Sequence, residues 1–386
     1  MIPKKRIFYW SPHLTHIATS RAVINSAYSF KKYSKEYECS IINFFGEFNK
    51  HHEELNTKGI KTLNFFNSNI IKYLPIYGKV KSRLSFLIFF ILGFFPLLSL
   101  IKKKKPNFVI IHLITSLPLI QLILFNFETK FILRISGLPR LGLIRTFIWK
   151  IAFKKIYAVT CPTKNTYNYI KSLNIVEKYK LKVLYDPILE VNKINKDKKK
   201  KIDKKEDFFL AVGRLTKQKN FLFLCQAFNK FINLFPENKK MKLFIAGDGE
   251  QKLSIQNFLK KNKLENNIYL LGHKKNIFPY FKNAKGFILS SLWEDPGFVL
   301  IEAGICRTPI FSSDALPGPK EIIKNNFNGI LFKSNNLNSF IENFPIFINN
   351  LNDNKLRINN LKYIKKFTIF NHYNTFLKIL DRRLET

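Results

Sequence analysis

Short apolar runs alternate with longer, helix-length segments along almost the whole chain. Such near-continuous apolar strands, separated by helical stretches, are typical of parallel sheets with both faces covered by helices. Beyond residue 335 the strand pattern ends and helical segments continue to Thr386. The pattern predicts strands at Arg6–Trp10, Ser40–Phe45, Phe108–His112, Lys130–Ile135, Ile156–Cys161 and Leu181–Tyr185, and then at Phe208–Val212, Lys242–Ala246, Ile268–Leu271, Gly286–Ser290, Pro309–Ser312 and Ile330–Phe332.

The alternation is interrupted once, after Asp186-Pro187, by about twenty residues dominated by charge, a composition typical of a connection between domains. A chain of 386 residues also exceeds what one compact core usually holds. We therefore predict an N-terminal Rossmann-like domain over residues 1–187, a charged linker over 188–206 and a C-terminal Rossmann-like domain over 207–360. Residues 361–386 form a final helix that is able to cross back to the N-terminal domain.

The net charge is +39, and acidic residues are scarcer in the N-terminal half than in the C-terminal half. Residues 1–187 hold 30 Lys or Arg against eight Asp or Glu. Such a region attracts polyanions: nucleic acid, an anionic membrane leaflet or a phosphorylated lipid. A basic nucleic-acid-binding protein is the non-enzyme alternative, but it would show base-stacking aromatics among the cations of a recognisable module, and the sequence shows none.

Cysteine usage and the first residues bear on the compartment. Cys39, Cys161, Cys225 and Cys306 lie far apart, which predicts neither a disulfide framework nor a zinc site and fits a reducing compartment. Residues 1–20 lack the long apolar stretch of a signal peptide. We therefore expect a cytoplasmic location.

Phe86–Ile101 is an uncharged stretch that ends in four lysines, Lys102 to Lys105. It is shorter than the roughly 20 residues that span a bilayer, and it contains Pro96. Two compatible interpretations are favoured over a helix that spans the membrane. The stretch is a buried helix of an α/β domain, or a partly exposed helix that enters the membrane surface with its lysines on lipid phosphates.

The loop after the first strand, Ser11-Pro12-His13, contains no glycine. A dinucleotide fold that holds a pyrophosphate at this point needs a glycine-rich turn for the close backbone approach. This argues against a conventional nicotinamide or flavin enzyme.

The first strand of the second domain ends differently, in Gly213-Arg214, with Lys219 five residues further on. A guanidinium and an ammonium placed where a helix begins are able to clamp a diphosphate, and the helix N-terminus adds its own field. Taken alone, cations near a helix start are ordinary, so this interpretation needs a second motif.

The second motif is the segment from Ser290 to Gly304, in which Glu294 stands in a loop after a strand and Glu302 in the first turns of a helix. Two such carboxylates facing one crevice are suited to accept hydrogen bonds from sugar hydroxyls. The backbone amides of Gly297, Phe298 and Val299 lie at the helix start between them and offer an anion site. The ordinary alternative is two solvated acids, but Trp293 and the apolar helix favour burial of at least one.

Taken in order, these motifs resemble one family. The series Gly213-Arg214…Lys219, Ala246-Gly247-Asp248-Gly249, Leu271-Gly272-His273 and Glu294-Asp295-Pro296-Gly297-Phe298…Glu302-Ala303 is similar to retaining glycosyltransferases of family four in the sugar-enzyme classification. Within that family it resembles bacterial enzymes of O-antigen, capsule and glycan assembly. The resemblance spans about residues 208–333. It implies an α/β fold of the GT-B type, with two Rossmann-like domains whose parallel sheets face across a cleft.

The resemblance also implies roles for the C-terminal residues. Arg214 and Lys219 would hold the donor diphosphate beside Gly213 and offset charge on the leaving nucleotide, while Glu302 would bind the ribose. Glu294 would contact the transferred sugar, helped by the amides of Gly297, Phe298 and Val299. His273 would lie near the base, or is a loop histidine without a role.

In the N-terminal half the resemblance is weaker, because Ser11-Pro12-His13 replaces a glycine pair that many members carry. His112 would lie near the acceptor and the transferred sugar and take part in catalysis; a packing histidine is the alternative. Arg134 and Arg140 flank a loop of small residues suited to an acceptor diphosphate, or form a basic surface loop. Ser11 and His13 are the remaining acceptor-binding candidates.

The resulting hypothesis is a retaining transfer of a hexosyl or N-acetylhexosaminyl group from a nucleotide-sugar donor, UDP-linked, to a polyprenyl-diphosphate-linked glycan acceptor. No acid pair suited to a metal stands out, so we expect no metal and no cofactor besides the nucleotide sugar. The expected location is the inner face of the cell membrane, held peripherally by anionic lipid, with no nucleic-acid partner. A sugar-nucleotide epimerase or phosphorylase with the same architecture is the alternative enzyme.

Overall fold

The structure is a computed structural model and describes residues 3–13, 18–65, 79–139, 142–202 and 206–381. It divides into two compact units. The N-terminal unit comprises Met1–Pro187 together with Ile369–Thr386, and the C-terminal unit comprises Ile188–Thr368. Each unit is built around its own parallel sheet, as the alternating apolar runs predict.

The N-terminal unit contains a seven-stranded sheet in which neighbouring strands are parallel. Its strands are β1 (Lys5–Trp10), β2 (Tyr37–Asn43), β3 (Lys61–Asn64), β4 (Phe108–Ile111), β5 (Lys130–Arg134), β6 (Ala158–Cys161) and β7 (Leu181–Val183). Their order across the sheet is β3-β2-β1-β4-β5-β6-β7. The strand order reverses between β1 and β4, and ligands of open α/β sheets gather outside the carboxyl ends of strands at such a switch point.

Helices cover both faces of this sheet, which explains why its central strands are apolar on both sides. One layer consists of α1 (Ala18–Tyr33), α2 (His52–Thr57) and α15 (Ile369–Leu380), whose core includes Phe30 and Phe376. The opposite layer consists of α3 (Lys79–Lys104), α4 (Ser116–Leu124), α5 (Leu143–Lys155) and α6 (Lys164–Ser172).

The C-terminal unit contains a six-stranded parallel sheet and a separate pair of two-residue strands. The large sheet has the order β10-β9-β8-β11-β13-β15, and β12 pairs with β14. The strands are β8 (Phe209–Val212), β9 (Leu243–Ala246), β10 (Ile268–Gly272), β11 (Gly286–Leu289), β12 (Trp293–Glu294), β13 (Ile310–Ser313), β14 (Leu316–Pro317) and β15 (Ile330–Phe332).

The core on one face of this second sheet is rich in phenylalanine, with Phe311 against the rings of Phe340, Phe344 and Phe347 at centroid distances of 5.2 to 5.3 Å. The helices of the unit are α7 (Val191–Asp197), α8 (Phe221–Leu234), α9 (Lys252–Lys261), α10 (Phe278–Asn283), α11 (Phe298–Ile305), α12 (Pro319–Ile322), α13 (Leu337–Asn349) and α14 (Asn354–Tyr363).

All twelve predicted strands are present, with ends shifted by a few residues, and three further strands are not predicted. β3 has the sequence KTLN and lies at the sheet edge, where one apolar side chain is enough. β12 and β14 are too short to show an alternation. Residues 188–206, predicted as a linker, group with the C-terminal unit because α7 lies within them and buries Ile194.

The stretch Phe86–Ile101 lies in α3, a helix of 26 residues. Phe89, Leu97 and Ile101 are buried in the core, whereas Ile91 and Phe95 are exposed. The helix is therefore part of the α/β domain and also presents an apolar face. Within the described part of the chain, no helix combines the length and the hydropathy needed to cross a bilayer.

Candidate functional site

The second switch point, between β8 and β11, brings together two loops that are far apart in the sequence. The loop after β8 and the loop after β11 are joined by hydrogen bonds at both backbone and side-chain level. The amide of Leu292 donates to the carbonyl of Gln218 at 2.8 Å, and the hydroxyl of Ser290 donates to the carbonyl of Lys219 at 2.9 Å. This places the two sequence motifs side by side.

At the centre of these loops, the ammonium of Lys219 forms an ion pair with the carboxylate Oε1 of Glu294. The hydroxyl of Ser291 donates to the same carboxylate oxygen at 2.7 Å. The side chains of Lys219 and Glu294 are only 13% and 8% exposed. A carboxylate held by two donors away from bulk water has a fixed position, which is what recognition of a ligand hydroxyl requires.

The two sequence motifs point to Lys219 and Glu294 separately and do not predict their contact, because 75 residues separate them. Ser291 was missed as a functional candidate, although it stands three residues before Glu294. Glu294 was placed in a loop, whereas it lies in the short strand β12. Pairing with β14 holds it there, and its carbonyl accepts from the amide of Gly318 at 2.9 Å.

Two glycines lie against this ion pair. A Cβ on Gly213 would come within 3.1 Å of the Lys219 stem, and a Cβ on Gly297 would lie 3.4 Å from the Cβ of Glu294. Gly297 has φ of +97°, a conformation that residues with side chains rarely adopt, and it is the N-cap residue of α11. Gly213, Lys219, Glu294 and Gly297 thus form one cluster at the carboxyl edge of the sheet.

The loop after β9 closes on the same edge. The amide of Gly213 donates to the carbonyl of Ala246 at 3.0 Å, and a Cβ on Gly247 would lie 1.8 Å from the Gly213 oxygen. Only glycine fits at that distance. Gly247, which belongs to the sequence motif, is therefore required for the close packing of the loop after β9 against the loop after β8.

Helix α11 carries the remaining predicted donor residues. Phe298 and Val299 are its first two residues, and the amides of a first helical turn have no partner within the helix. Glu302 lies on the same helix and is 5% exposed, so both predicted glutamates are buried. The solvated-acid alternative is wrong for both.

Arg214 and His273 lie at the same sheet edge, after β8 and β10 respectively, and both are exposed. The described contacts give Arg214 no ion pair, so its guanidinium faces solvent without a fixed carboxylate partner. The cluster around Lys219 is internally neutralised, and Arg214 adds an uncompensated positive charge to this edge.

In the N-terminal unit, His112 follows β4 directly and is 5% exposed. Burial, followed by the nearby charge of Arg134, lowers the pKa of His112 well below its usual value, so the ring is neutral. Its Nδ1 has no hydrogen-bond partner among the described residues. The pocket that the ring lines has a volume of about 10 Å³, room for about one water but not for a sugar.

Arg134, predicted as an acceptor contact or a surface cation, is instead an internal residue. Its guanidinium forks onto the carboxylate of Asp186, with the Nε to Oδ1 distance at 3.1 Å, and its Nη1 donates to Ser136 at 2.7 Å. The two ionic side chains are 7% and 4% exposed. The surface-loop interpretation is wrong for Arg134, and its donors are already directed to protein partners.

The other N-terminal candidates are either buried or lie outside the residues that the structure describes. Ser11 is fully buried, and His13 is 7% exposed with its Nδ1 2.9 Å from the carbonyl of Ser11. Its ring also meets Phe48 edge-on at 5.0 Å. Arg140 lies outside the described residues.

Metal ligands do not cluster in the part of the chain that the structure describes: no three His, Cys, Asp or Glu side chains come together. The free cysteines are buried or partly buried, and burial raises the pKa of Cys225 and Cys306 to about 12. These thiols are therefore protonated at neutral pH.

Residues 192–364 match the family model of glycosyl transferases group 1. This match spans nearly the whole of the C-terminal unit, Ile188–Thr368. The Lys219–Glu294 cluster lies within the matched residues, and the resemblance drawn from the sequence motifs is confirmed for them.

Three curated relatives illustrate the similarity. An uncharacterized glycosyltransferase of Methanocaldococcus jannaschii is 32% identical over 250 residues, which is 59% of this chain and 61% of that protein. A UDP-Gal:α-D-GlcNAc-diphosphoundecaprenol α-1,3-galactosyltransferase of Escherichia coli is 34% identical over 50% of this chain and 53% of its own length. A Campylobacter jejuni α-1,4-N-acetyl-D-galactosaminyltransferase, named for a GalNAc-GalNAc-diNAcBac-PP-undecaprenol acceptor, is 27% identical over 90% of both chains.

Coverage of the relatives is uneven: the chain spans only 37% to 61% of the length of the first curated relatives it matches. The fold similarity is more extensive. The crystal structure of a glycosyltransferase from Rickettsia africae covers 99% of both chains with a TM-score of 0.73 at 16% sequence identity. The fold of this chain is therefore the GT-B type, as the motifs predict.

Proposed function

We propose that this protein transfers a hexosyl or N-acetylhexosaminyl group from a UDP-sugar to a polyprenyl-diphosphate-linked glycan, with retention of anomeric configuration. The observation that carries the proposal is the buried Lys219–Glu294 pair, held by Ser291 beside Gly213 and Gly297 within the residues that match the group 1 family model. UDP and the lipid-linked acceptor are supported by the names of the Escherichia coli and Campylobacter jejuni relatives.

The proposed chemistry divides the site into two parts. Glu294 accepts hydrogen bonds from the hydroxyls of the transferred sugar and Glu302 from those of the ribose. Lys219, Arg214 and the first amides of α11 stabilise the diphosphate as it leaves. An arriving diphosphate binds the exposed Arg214 and also contacts Lys219, which keeps its bond to Glu294 and so links the phosphate and sugar subsites.

In the transfer step, the bond between the anomeric carbon and the diphosphate oxygen breaks while an acceptor hydroxyl oxygen bonds to the same face of that carbon. The hydroxyl proton passes to the leaving diphosphate, and the electron pair of the broken bond remains there. The cations replace a divalent ion in this scheme, so EDTA is expected to leave the rate unchanged. Loss of activity with EDTA that magnesium or manganese restores contradicts this part of the proposal.

The acceptor side is proposed for the N-terminal unit. His112 remains the candidate beside the transferred sugar, because its neutral ring has an Nδ1 without a partner among the described residues; the sugar itself would lie outside the small pocket that the ring lines. The guanidinium of Arg134 is held by Asp186 and Nδ1 of His13 lies against the Ser11 carbonyl, so we propose neither as a direct acceptor contact. Ser11 stays a proposed contact, because its buried hydroxyl has no partner among the described residues. Because this acceptor is lipid-linked, we also propose that the protein works at a membrane surface, the inner face of the cell membrane.

The test is to incubate the full chain with a panel of UDP- and GDP-sugars and polyprenyl-diphosphate glycans, then measure product masses and the anomeric configuration by NMR. A mass increase of one sugar with a retained anomeric centre is the expected result. Conversion of the donor to an epimer without an acceptor identifies the alternative, a GT-B epimerase. A requirement for inorganic phosphate identifies a phosphorylase.

A further inference from the structure

One helix layer of the N-terminal unit has an unusually apolar outer face. On α3 the exposed positions Leu87, Ile91 and Phe95 follow a four-residue spacing and are 53%, 61% and 72% exposed. Residues four apart lie on the same side of a helix. They form a continuous stripe, and the opposite side of α3 packs Phe89 and Leu97 into the core.

The first turn of α5 is more exposed still. Leu143, Ile144 and Phe147 are 92%, 78% and 65% exposed, whereas Trp149 and Phe153 of the same helix are buried. Both α3 and α5 pack against α4 in the same layer. We call the exposed side chains of Leu87, Ile91, Phe95, Leu143, Ile144 and Phe147 the α3–α5 surface.

The opposite helix layer of the same sheet does not share this property. Among the described residues of α1, α2 and α15, Phe370 is the one large apolar side chain that is exposed. Its ring still meets Tyr33 at a centroid distance of 5.2 Å. The apolar exposure is therefore specific to one layer and is not a general feature of a Phe- and Ile-rich chain.

The same layer is strongly basic. Helices α3, α4 and α5 contain ten lysines and arginines and no acid, and Glu128 is the one acid in residues 79–155. Glu128 already pairs with Lys105 at 3.1 Å. Lys102 to Lys104 are exposed at the end of α3, and Arg145 and Lys150 are exposed along α5. Exposed apolar side chains and cations on one layer match the two parts of an anionic membrane surface, acyl chains and headgroup phosphates.

We propose that the α3–α5 surface docks on an anionic phospholipid bilayer, with the first turn of α5 as the main inserting element. Nucleic acid would satisfy the cations but not the exposed Leu, Ile and Phe side chains. A second copy of the chain would bring two sets of like charges together. This inference builds on the membrane part of the proposed function, but vesicle binding is measured without donor or acceptor and so tests it separately.

The experiment is flotation of the full chain with phosphatidylcholine vesicles and with vesicles that also contain phosphatidylglycerol. The test variant combines Leu143→Ser, Ile144→Ser and Phe147→Ser. The control combines Leu234→Ser, Leu253→Ser and Ile358→Ser, which removes three exposed aliphatic side chains, 46% to 67% exposed, from the C-terminal unit. We expect the test variant to lower the vesicle partition coefficient by about tenfold or more and the control to leave it unchanged.

A second variant addresses the cations. Replacing Lys102, Lys103 and Lys104 with glutamine keeps the Lys105–Glu128 pair and is expected to weaken binding and reduce its dependence on salt. Three results would overturn the proposal: equal binding of the test variant and the wild type, equal binding to neutral and anionic vesicles, or no vesicle binding by a chain that binds RNA. A dimer that the α5 substitutions dissociate would instead make this surface an interface between copies.

Discussion

The carboxyl edges of the two sheets differ in how exposed their predicted site arginines are. At the C-terminal edge, Arg214 is exposed and the Lys219–Glu294 pair packs directly against Gly213 and Gly297. At the N-terminal edge, His112 and Arg134 are buried, and the guanidinium of Arg134 is directed onto Asp186. The C-terminal edge therefore adds an exposed cation, Arg214, to an internally neutralised pair, whereas Arg134 at the N-terminal edge is itself buried and paired.

The internal use of polar groups in the N-terminal unit has a structural role. The Tyr9 hydroxyl lies 2.9 Å from the Ser26 hydroxyl, which lies 2.8 Å from Nε2 of His372. Nδ1 of His372 lies 2.8 Å from the carbonyl of Tyr185, so this nitrogen carries the proton and Nε2 accepts from Ser26. The chain of bonds ties α15 to α1 and to the end of the sheet. Polar residues at a switch point therefore indicate a ligand site only where their partners leave them available.

The largest expected effect is on stability, at Arg134. Arg134→Met leaves the Asp186 carboxylate buried and uncompensated, which is expected to lower the free energy of unfolding by about 3–5 kcal/mol. The double variant Arg134→Met/Asp186→Leu is expected to recover much of that loss. Denaturant unfolding measures both, with Arg214→Ala, an exposed arginine, as the control that stays within about 0.5 kcal/mol of the wild type. A stable Arg134→Met protein that has lost affinity for the acceptor would contradict the structural role of Arg134 and make it an acceptor contact.

The next largest effect is on turnover, at the C-terminal edge. Lys219→Ala and Arg214→Ala each remove a cation from the leaving diphosphate and are expected to lower kcat about 100- to 1000-fold. Lys285→Ala is the matched control, since this lysine forms an ion pair with Asp207 at 2.7 Å in the same unit. Near-normal sugar transfer by both variants would contradict the assignment of Lys219 and Arg214 to the donor diphosphate.

The third effect is a pH dependence that belongs to the N-terminal unit. Burial lowers the pKa of His372 from 6.5 to about 4, so between these pH values the unfolded chain binds a proton that the folded chain does not. Stability therefore falls as pH falls from about 6.5 to 4, by about 3 kcal/mol at most.

His372→Gln is expected to flatten this slope, measured as the unfolding midpoint at several pH values. Burial raises the pKa of Glu47 to about 7, which acts in the opposite direction over pH 4.5 to 7, but Glu47 is present in both proteins. The difference between the two slopes therefore isolates His372. Identical slopes would mean that the ring is protonated in the folded protein.

The smallest effect is at Ser291, which positions Glu294 without touching the ligand. Ser291→Ala removes one hydrogen bond to a charged group and is expected to cost about 1.5–3 kcal/mol, appearing as a higher KM for the donor with a smaller change in kcat. Ser291→Thr is expected to restore part of the loss. Ser312→Ala is the control, a buried serine whose hydroxyl donates to the Ser313 carbonyl. Equal effects at both serines would assign Ser291 a packing role alone.

Apolar periodicity was sufficient to predict two parallel sheets, because strands covered on both faces must be apolar nearly throughout. It did not predict β3, an edge strand with one long apolar side chain, or the two-residue strands β12 and β14. It also assigned residues 188–206 to a linker, because charge dominates the run even though Ile194 of α7 is buried.

For the site, the motifs located Gly213, Lys219 and Glu294, because a glycine turn, a cation at a helix start and a carboxylate in an apolar context are local features of a sequence. The fold class and the members of the cluster at the C-terminal sheet edge could therefore be predicted from the sequence itself. Whether a polar residue is available was decided only by tertiary structure. The folded chain joins Lys219 to Glu294 across 75 residues and Arg134 to Asp186 across 52, and no local pattern records which carboxylate a cation will meet.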